Sequence, residues 1–392
     1  MAKLIGNAPN QVPTNADLGS MAFEDKKNYA TTSSPIYQPY RNIIINGDMS
    51  IAQRGTSFTG LTDGYNGTYT LDRFAFGENS TPNSQCTISQ DSDVPTGQGF
   101  AKSLKVDVTT AETTLSNAEL IYIWQRIEGQ NLQYLKFGTS NAESLTLSFW
   151  VKSNLTTGEY GVSVYNEDNS RISNLTYNIN SSNTWEKKTF TISGDTVSGF
   201  DNDNASSLML SFIFASGSDY TSGEDSAWHT YSISNFAGGH TANLVDSTSN
   251  YINITGLQLE AGTTASDFEF LPHDVNKRRC LRYYTQVTAN HYFAGARANG
   301  TTGLIGGRFY TSVPLRAGPT IDSGTYQYYY GDAGNGAISS STTAVESQRD
   351  DTGLTFRLNS ALSGVVDNEP VIVAANSTIG FDSELWLQMF IT

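Results

Sequence analysis

The stretch Leu145-Thr146-Leu147-Ser148-Phe149-Trp150-Val151-Lys152 alternates apolar and polar side chains over its whole length. A period of two is that of a β-strand with one buried face. The same alternation over residues 119–127 sends two sets of side chains to opposite faces: Ile121, Ile123 and Ile127 to one, and Leu120, Tyr122, Trp124 and Arg126 to the other. Two such strands predict a sheet that packs one apolar face on a core.

Further runs of strand length lie on both sides of this stretch. They are Ser103 to Val108, Tyr160 to Tyr165, Trp185 to Ile192, Leu208 to Phe214 and Tyr251 to Leu259. Turn clusters such as Asp201-Asn202-Asp203-Asn204 separate them, and no helical period runs through them. Many short strands with turn signals predict an all-β chain built on a sandwich of jelly-roll type.

The order of these patterns along the chain predicts four segments. Residues 1–40 contain four prolines and little apolar periodicity, which predicts an extended arm. Residues 41–270 form the predicted jelly-roll domain. Residues 271–285 form a linker helix, with Asp274 to Tyr284 as its helical part and Asp274 as its cap.

Residues 286–392 are the fourth segment, a predicted C-terminal β domain that would form the receptor-binding tip. Strands are expected at Leu354 to Leu358, Val371 to Ala375 and Leu385 to Ile391, with a Gly/Ser loop over residues 331–341.

Charge and composition exclude several classes of partner. The chain has 38 acidic and 23 basic side chains, a formal charge of −15 that opposes nucleic-acid binding. No run of 18 or more apolar residues occurs, so we expect no membrane insertion. The first residues lack the apolar core of a secretion signal. The two cysteines, Cys86 and Cys280, are too few for a disulfide framework.

Catalytic motifs are nearly absent. The four histidines lie in no metalloprotease or triad-like context, and nothing in the sequence brings two carboxylates to the separation found in glycosidases. We therefore expect no enzyme activity, no catalytic residue, no metal site and no cofactor.

The aromatic side chains on polar strand faces are the best candidates for a binding site. Alternation places Tyr122, Trp124, Arg126 and Trp150 among hydroxyl and amide neighbours. The apolar face of a pyranose packs on an aromatic ring while its hydroxyls bond to polar groups, so these residues are candidates for glycan binding. The alternative is that the rings cover a second core layer or a subunit interface.

A second aromatic group lies in the C-terminal segment. Tyr326, Tyr328 and Tyr330 share one strand face, and the glycine-rich residues 331–336 follow them. Tyrosine offers a large contact area at a low entropy cost, which makes this ladder a second candidate glycan site. Packing of the rings across neighbouring strands is the alternative.

Several segments resemble tail-fibre proteins of marine bacteriophages. The arm from Asn10 to Ala22 is similar to the start of such proteins. The segment Asn42-Ile43-Ile44-Ile45-Asn46-Gly47-Asp48-Met49-Ser50-Ile51-Ala52-Gln53-Arg54-Gly55, with Leu71-Asp72-Arg73-Phe74 after it, is similar to the opening of the jelly-roll module that follows the arm there. Three more stretches and the short helix resemble the same module, namely residues 147–153, 183–188, 254–262 and 280–284. The likeness covers about residues 8–285.

The resemblance implies a virion protein, made in the host cytoplasm, that attaches to a tail protein through its N-terminal arm. It also implies a homotrimer whose module resembles carbohydrate-binding modules and recognises a host surface polysaccharide or lipopolysaccharide without catalysis. Exposure of Ile43, Ile44 and Ile45 would favour the trimer. A structural adaptor without glycan binding and a polysaccharide-degrading tailspike are the alternative functions.

Overall fold

A computed structural model describes residues 40–61, 67–80, 82–223, 226–287, 296–298, 304–321, 326–330, 334–338, 344–350, 353–358, 370–375 and 379–384. Residues 42–392 form one compact unit. The predicted arm over residues 1–40 lies outside the described residues, apart from Tyr40.

In the described part of the chain, thirteen strands precede the helix. They are β1 Ser57–Phe58, β2 Thr68–Tyr69, β3 Ala75–Asn79, β4 Gln85–Asp91, β5 Ser103–Thr110, β6 Leu120–Glu128, β7 Leu145–Ser153, β8 Tyr160–Asn166, β9 Arg171–Tyr177, β10 Glu186–Ile192, β11 Ser206–Ser216, β12 His229–Thr230 and β13 Tyr251–Ala261. All seven strands predicted for this region are present, and their ends differ from the predicted ones by two residues or fewer.

These strands form two antiparallel sheets that pack face to face. The six-stranded sheet has the order β1-β4-β5-β13-β7-β10, and the seven-stranded sheet has the order β12-β9-β8-β11-β6-β3-β2. Phe149 of β7 and Phe212 of β11 meet between the sheets, with ring centroids 4.9 Å apart in an edge-to-face arrangement. Both belong to one large cluster of buried apolar side chains. The predicted all-β sandwich is therefore confirmed.

A third layer covers the outer face of the seven-stranded sheet. The chain between β11 and β13 places Tyr220, Phe236 and Ala237 on Tyr122 and Trp124 of β6 in a second apolar cluster. We call residues 217–223 and 226–242 the cover segment. Its contacts give the seven-stranded sheet a core on both faces.

The predicted helix is present as α1, His273–Leu281. Pro272 occupies the cap position, so the prediction that Asp274 caps the helix is wrong. Asp274 lies instead in the first turn, where a carboxylate still interacts favourably with the helix dipole. Tyr284 begins the next strand and does not extend the helix.

The isoleucines that were expected to be exposed are buried within the chain. Ile43, Ile44 and Ile45 have 8%, 1% and 8% of their surface exposed. The segment is held by backbone donors: Ile43 N donates to Leu259 O at 2.8 Å, and Ile45 N donates to the side-chain oxygen of Gln125 at 2.8 Å. These residues therefore offer no apolar surface to a neighbouring subunit.

Ten strands lie among the described residues that follow the helix. They are β14 Tyr284–Val287, β15 Ala296–Ala298, β16 Leu304–Tyr310, β17 Thr320–Ile321, β18 Tyr326–Tyr330, β19 Gly334–Ile338, β20 Ala344–Asp350, β21 Gly353–Leu358, β22 Pro370–Ala375 and β23 Ile379–Asp382. They form a three-stranded sheet, β14-β23-β17, and a seven-stranded sheet, β19-β18-β22-β15-β16-β21-β20.

Two of the strands predicted in this region are confirmed as β21 and β22, while residues 385–391 lie outside the described part of the chain. A loop was predicted over residues 331–341, and this prediction is wrong for Gly334–Ile338. These residues form β19, which pairs with β18. Backbone pairing with a neighbouring strand here overrides the low strand propensity of glycine and asparagine.

Buried ion pairs join the sandwich to the end of β23. The Arg54 guanidinium lies 2.8 Å from Asp382 and 2.9 Å from Glu384, and Arg73 lies 2.5 Å from Glu384. The Arg73 guanidinium also stacks over the Tyr283 ring, 3.4 Å from its centroid. The Arg73 and Glu384 side chains are almost completely buried, so the Glu384 carboxylate depends on Arg54 and Arg73 for its compensating charge.

Candidate functional site

The predicted alternation on β6 is correct, but the glycan-binding role that it suggested for Tyr122 and Trp124 is not compatible with their burial. Only 2% of Tyr122 and 1% of Trp124 is exposed. The two rings stack with centroids 4.7 Å apart, and Phe236 packs edge-to-face on Tyr122 at 5.3 Å. The alternative interpretation, a second core layer, is correct for these two residues. Alternation identifies a strand face but not the segment that covers it.

Arg126 forms an ion pair with another residue of the same chain. It lies on the same face of β6, and its Nε is 3.1 Å from Glu167 Oε1. Its guanidinium carbon is 5.9 Å from the Trp124 ring centroid. Burial raises the pKa of the Glu167 carboxyl, although Arg126 opposes this effect. Arg126 therefore serves an internal ion pair, and its predicted contact with a glycan has no support here.

The C-terminal tyrosines lie on a strand with a partner on each side. Tyr326, Tyr328 and Tyr330 belong to β18, which pairs with β19 on one side and β22 on the other. Their side chains lie outside what the structure describes. The tyrosine ladder therefore stays a prediction.

Trp150 is separated from Trp124 because it belongs to the other sheet. It lies on the outer face of β7, and its side chain is half-buried. Lys187 of β10 and Thr255 of β13 are its direct register partners on either side. Cross-strand partners in a sheet have Cβ atoms about 5 Å apart, so Trp150 lies in a row between a lysine and a threonine.

Two side chains from loops extend the surface beside Trp150. Asp93 follows β4, and its carboxylate accepts from Lys152 Nζ at 2.6 Å and from Trp185 Nε1 at 2.9 Å. Burial would raise the pKa of Asp93, but the hydrogen bonds from Lys152 and Trp185 outweigh this effect and lower it. The Asp93 carboxylate therefore stays charged and fixes the half-buried Trp185 near β7.

A third aromatic residue, Tyr251, lies farther along the same face. Its register partner is Asp107 of β5, and its hydroxyl donates to Asn183 Oδ1 at 2.6 Å. Lys105 Nζ lies 5.2 Å from the centroid of the Tyr251 ring and 2.8 Å from an Asp107 oxygen. This end of the face thus combines an aromatic ring with charged groups that are already paired.

We call this surface the Trp150 face and define it by Trp150, Lys152, Lys187, Asp93, Trp185 and Tyr251. It combines half-buried rings with charged and hydroxyl groups on a rigid sheet. Sequence reasoning found Trp150 but missed Trp185, Asp93 and Tyr251. Alternation through β13 could have placed Tyr251 on a face, whereas no local pattern points to Asp93 in its loop.

Other classes of site have no support in the part of the chain that the structure describes. No group of three or more His, Cys, Asp or Glu side chains there is arranged to hold a metal ion. No helix within it has the length and apolar character needed to cross a membrane.

Comparisons with known proteins give structural likenesses only. No protein-family profile matches the chain, and no curated protein matches it. A tailspike protein 4 domain of bacteriophage CBA120 is 14% identical with a TM-score of 0.31, and the likeness covers 57% of this chain and 22% of that chain. This chain therefore spans about a fifth of the length of that tailspike domain.

Two smaller proteins are similar over their whole length. A putative sugar-binding protein from Bacteroides thetaiotaomicron is 14% identical, with a TM-score of 0.32 over 56% of this chain and 99% of that chain. The module TmCBM61, solved with β-1,4-galactotriose, is 8% identical, with a TM-score of 0.27 over 56% and 99%. At TM-scores this low, the assignment of a function rests on the geometry of the Trp150 face.

Proposed function

We propose that this protein binds carbohydrate non-covalently through the Trp150 face. The observation that carries the proposal is the half-buried Trp150 ring on the outer face of β7, with the exposed Lys187 of β10 as its register partner. A tryptophan ring packs on the C–H face of a pyranose, while lysine, carboxylate and hydroxyl groups bond to the sugar hydroxyls. A sheet holds these groups in place with little loss of entropy on binding.

The sequence supports a more specific role as a bacteriophage tail fibre. In this role the arm over residues 1–40 attaches the protein to the virion tail, and the glycan is a polysaccharide or lipopolysaccharide of the host surface. The protein acts as a homotrimer without catalytic activity. Sedimentation of the full chain at micromolar concentration tests the trimer, and a stable monomer would contradict it. Loss of polymer length in the polysaccharide would favour the tailspike alternative instead.

The test of the glycan site is Trp150→Ala in the full chain. We expect binding on an array of bacterial surface glycans to weaken by about 1 to 3 kcal/mol, since one stacked ring is lost. The unfolding free energy should fall by less than the about 3 to 5 kcal/mol that truncation of a fully buried tryptophan costs, because part of the ring is exposed.

The matched control is Tyr310→Ala, which removes an aromatic ring that is 66% exposed on β16. This variant should bind glycans as the unmodified protein does. Full glycan binding by Trp150→Ala would contradict the proposed site. Dissociation of the oligomer by that variant would show that the Trp150 face is a subunit interface and not a glycan site.

A further inference from the structure

Arginines and lysines occupy different places in the sandwich. Between residues 41 and 270 the chain has six lysines and five arginines. Four of the arginines are ion-paired within the protein: Arg54, Arg73, Arg126 and Arg171. Five of the lysines belong to the six-stranded sheet. Lys105, Lys152, Lys187 and Lys188 lie in its strands β5, β7 and β10, and Lys102 directly precedes β5. The arginines thus stabilise the fold, whereas the lysines concentrate on one sheet.

Three of these lysines project from the outer face of that sheet. Lys187 is the register partner of Trp150, and Lys152 and Lys105 are both register partners of Asn253 on β13. Lys152 is paired with Asp93, and Lys105 with Asp107. Among the described residues, Lys187 is exposed and takes part in no ion pair. It is therefore a charge that can reach a ligand stacked on Trp150.

The negative charge of the whole chain favours these lysines as the place where an anion binds. A chain with a formal charge of −15 repels anions over most of its surface. A face on which lysines balance the carboxylates is where an anionic ligand meets the least repulsion. Lysine is a compact point charge on a flexible stem, which suits substituents whose positions vary along a polymer.

We infer that the ligand of the Trp150 face is an acidic polysaccharide, whose sugar ring stacks on Trp150 while a carboxylate, sulfate or phosphate substituent pairs with Lys187. This inference rests on the proposed function and makes it more specific. It assigns the two residues separate tasks: Trp150 binds any pyranose of suitable shape, and Lys187 selects the charged one.

The experiment is affinity electrophoresis of the full chain through gels that contain polygalacturonate, dextran sulfate or neutral dextran, together with an array of acidic and neutral bacterial polysaccharides. We expect retention by acidic polymers only. Retention by polygalacturonate alone identifies a carboxylate as the substituent, and retention by dextran sulfate alone identifies a sulfate. Raising the salt concentration should weaken the retention, because ion pairs at exposed sites are screened.

Two variants separate this inference from the proposed function. Lys187→Gln should weaken binding of the acidic polymer about 2- to 5-fold, the effect expected for one exposed charge contact. The matched control Lys136→Gln removes a lysine that is paired with Glu143 away from the Trp150 face, and it should have no effect.

The inference would be overturned, and the proposed function would stand, if neutral and acidic polymers bind equally well, Trp150→Ala weakens that binding and Lys187→Gln does not. Binding that survives Trp150→Ala, or the absence of binding to every polymer, would overturn both.

Discussion

Acid should destabilise the third layer of the sandwich through His240. This residue of the cover segment is 2% exposed, and its Nδ1 accepts from the backbone N–H of Gly161 at 3.0 Å. Its Nε2 is buried without a hydrogen-bond partner. Burial lowers the pKa of His240 from 6.5 to about 4, and the nearby Ala242 backbone opposes this only in part. The folded protein therefore keeps the ring neutral in mild acid.

The pKa shift sets the size and the sign of the effect. Between pH 6.5 and about 4 the unfolded chain protonates this histidine while the folded chain does not, so lowering the pH favours unfolding. Integrating between these two values gives a loss of about 2.5 kcal/mol at about pH 4.5, relative to neutral pH, from this one group. A loss of this size is a considerable part of the stability of an ordinary domain.

The measurement compares His240→Asn with the unmodified protein. An asparagine oxygen can still accept from Gly161, while the group that binds the proton is gone. We expect the variant to be less stable at neutral pH because it packs less well. The difference in unfolding free energy should then shrink by about 2.5 kcal/mol as the pH falls to about 4.5, in urea unfolding followed by tryptophan fluorescence. His273→Asn, at the exposed start of α1, is the control for losing a histidine. A difference that stays constant over the whole pH range would refute the reasoning.

Three further predictions concern other parts of the molecule. Arg73→Met should lower the unfolding free energy by about 1.5 to 3 kcal/mol, because the buried Glu384 carboxylate loses one of its two cations and keeps Arg54; a change under about 0.5 kcal/mol in urea unfolding would contradict this. Gly67→Ala should cost about 1 to 3 kcal/mol more than Gly60→Ala, since both glycines have φ +66° but only a Cβ at residue 67 would overlap the Trp124 ring; equal melting temperatures of the two variants would refute the overlap. The double variant Tyr328→Ala with Tyr330→Ala should lose adsorption to host cells if the tyrosine ladder contacts the receptor, and unchanged adsorption with the fold intact would place the receptor site elsewhere.

Local patterns in the sequence determined the strands of the sandwich and the direction of their side chains. The alternation in β6 and β7 placed Ile123 and Phe149 toward the core and Trp124 and Trp150 away from it, as the structure has them. This succeeds because the side-chain period of a strand is a property of the backbone and needs no knowledge of distant residues. The short helix was predicted for the same reason, from contiguous residues.

Tertiary structure alone decided which outward-facing ring stays partly exposed. Trp124 and Trp150 occupy equivalent positions in the sequence pattern, yet the cover segment brings Tyr220 and Phe236 over Trp124, while loop residues leave Trp150 half-buried. The contact of Asp93 with Trp185 joins residues 92 positions apart, and that of Gly161 with His240 joins residues 79 apart. Such contacts depend on how the whole chain packs, and a period of two carries no information about them. The sequence therefore identified candidate rings, and the packing of distant loops determined which of them a ligand can reach.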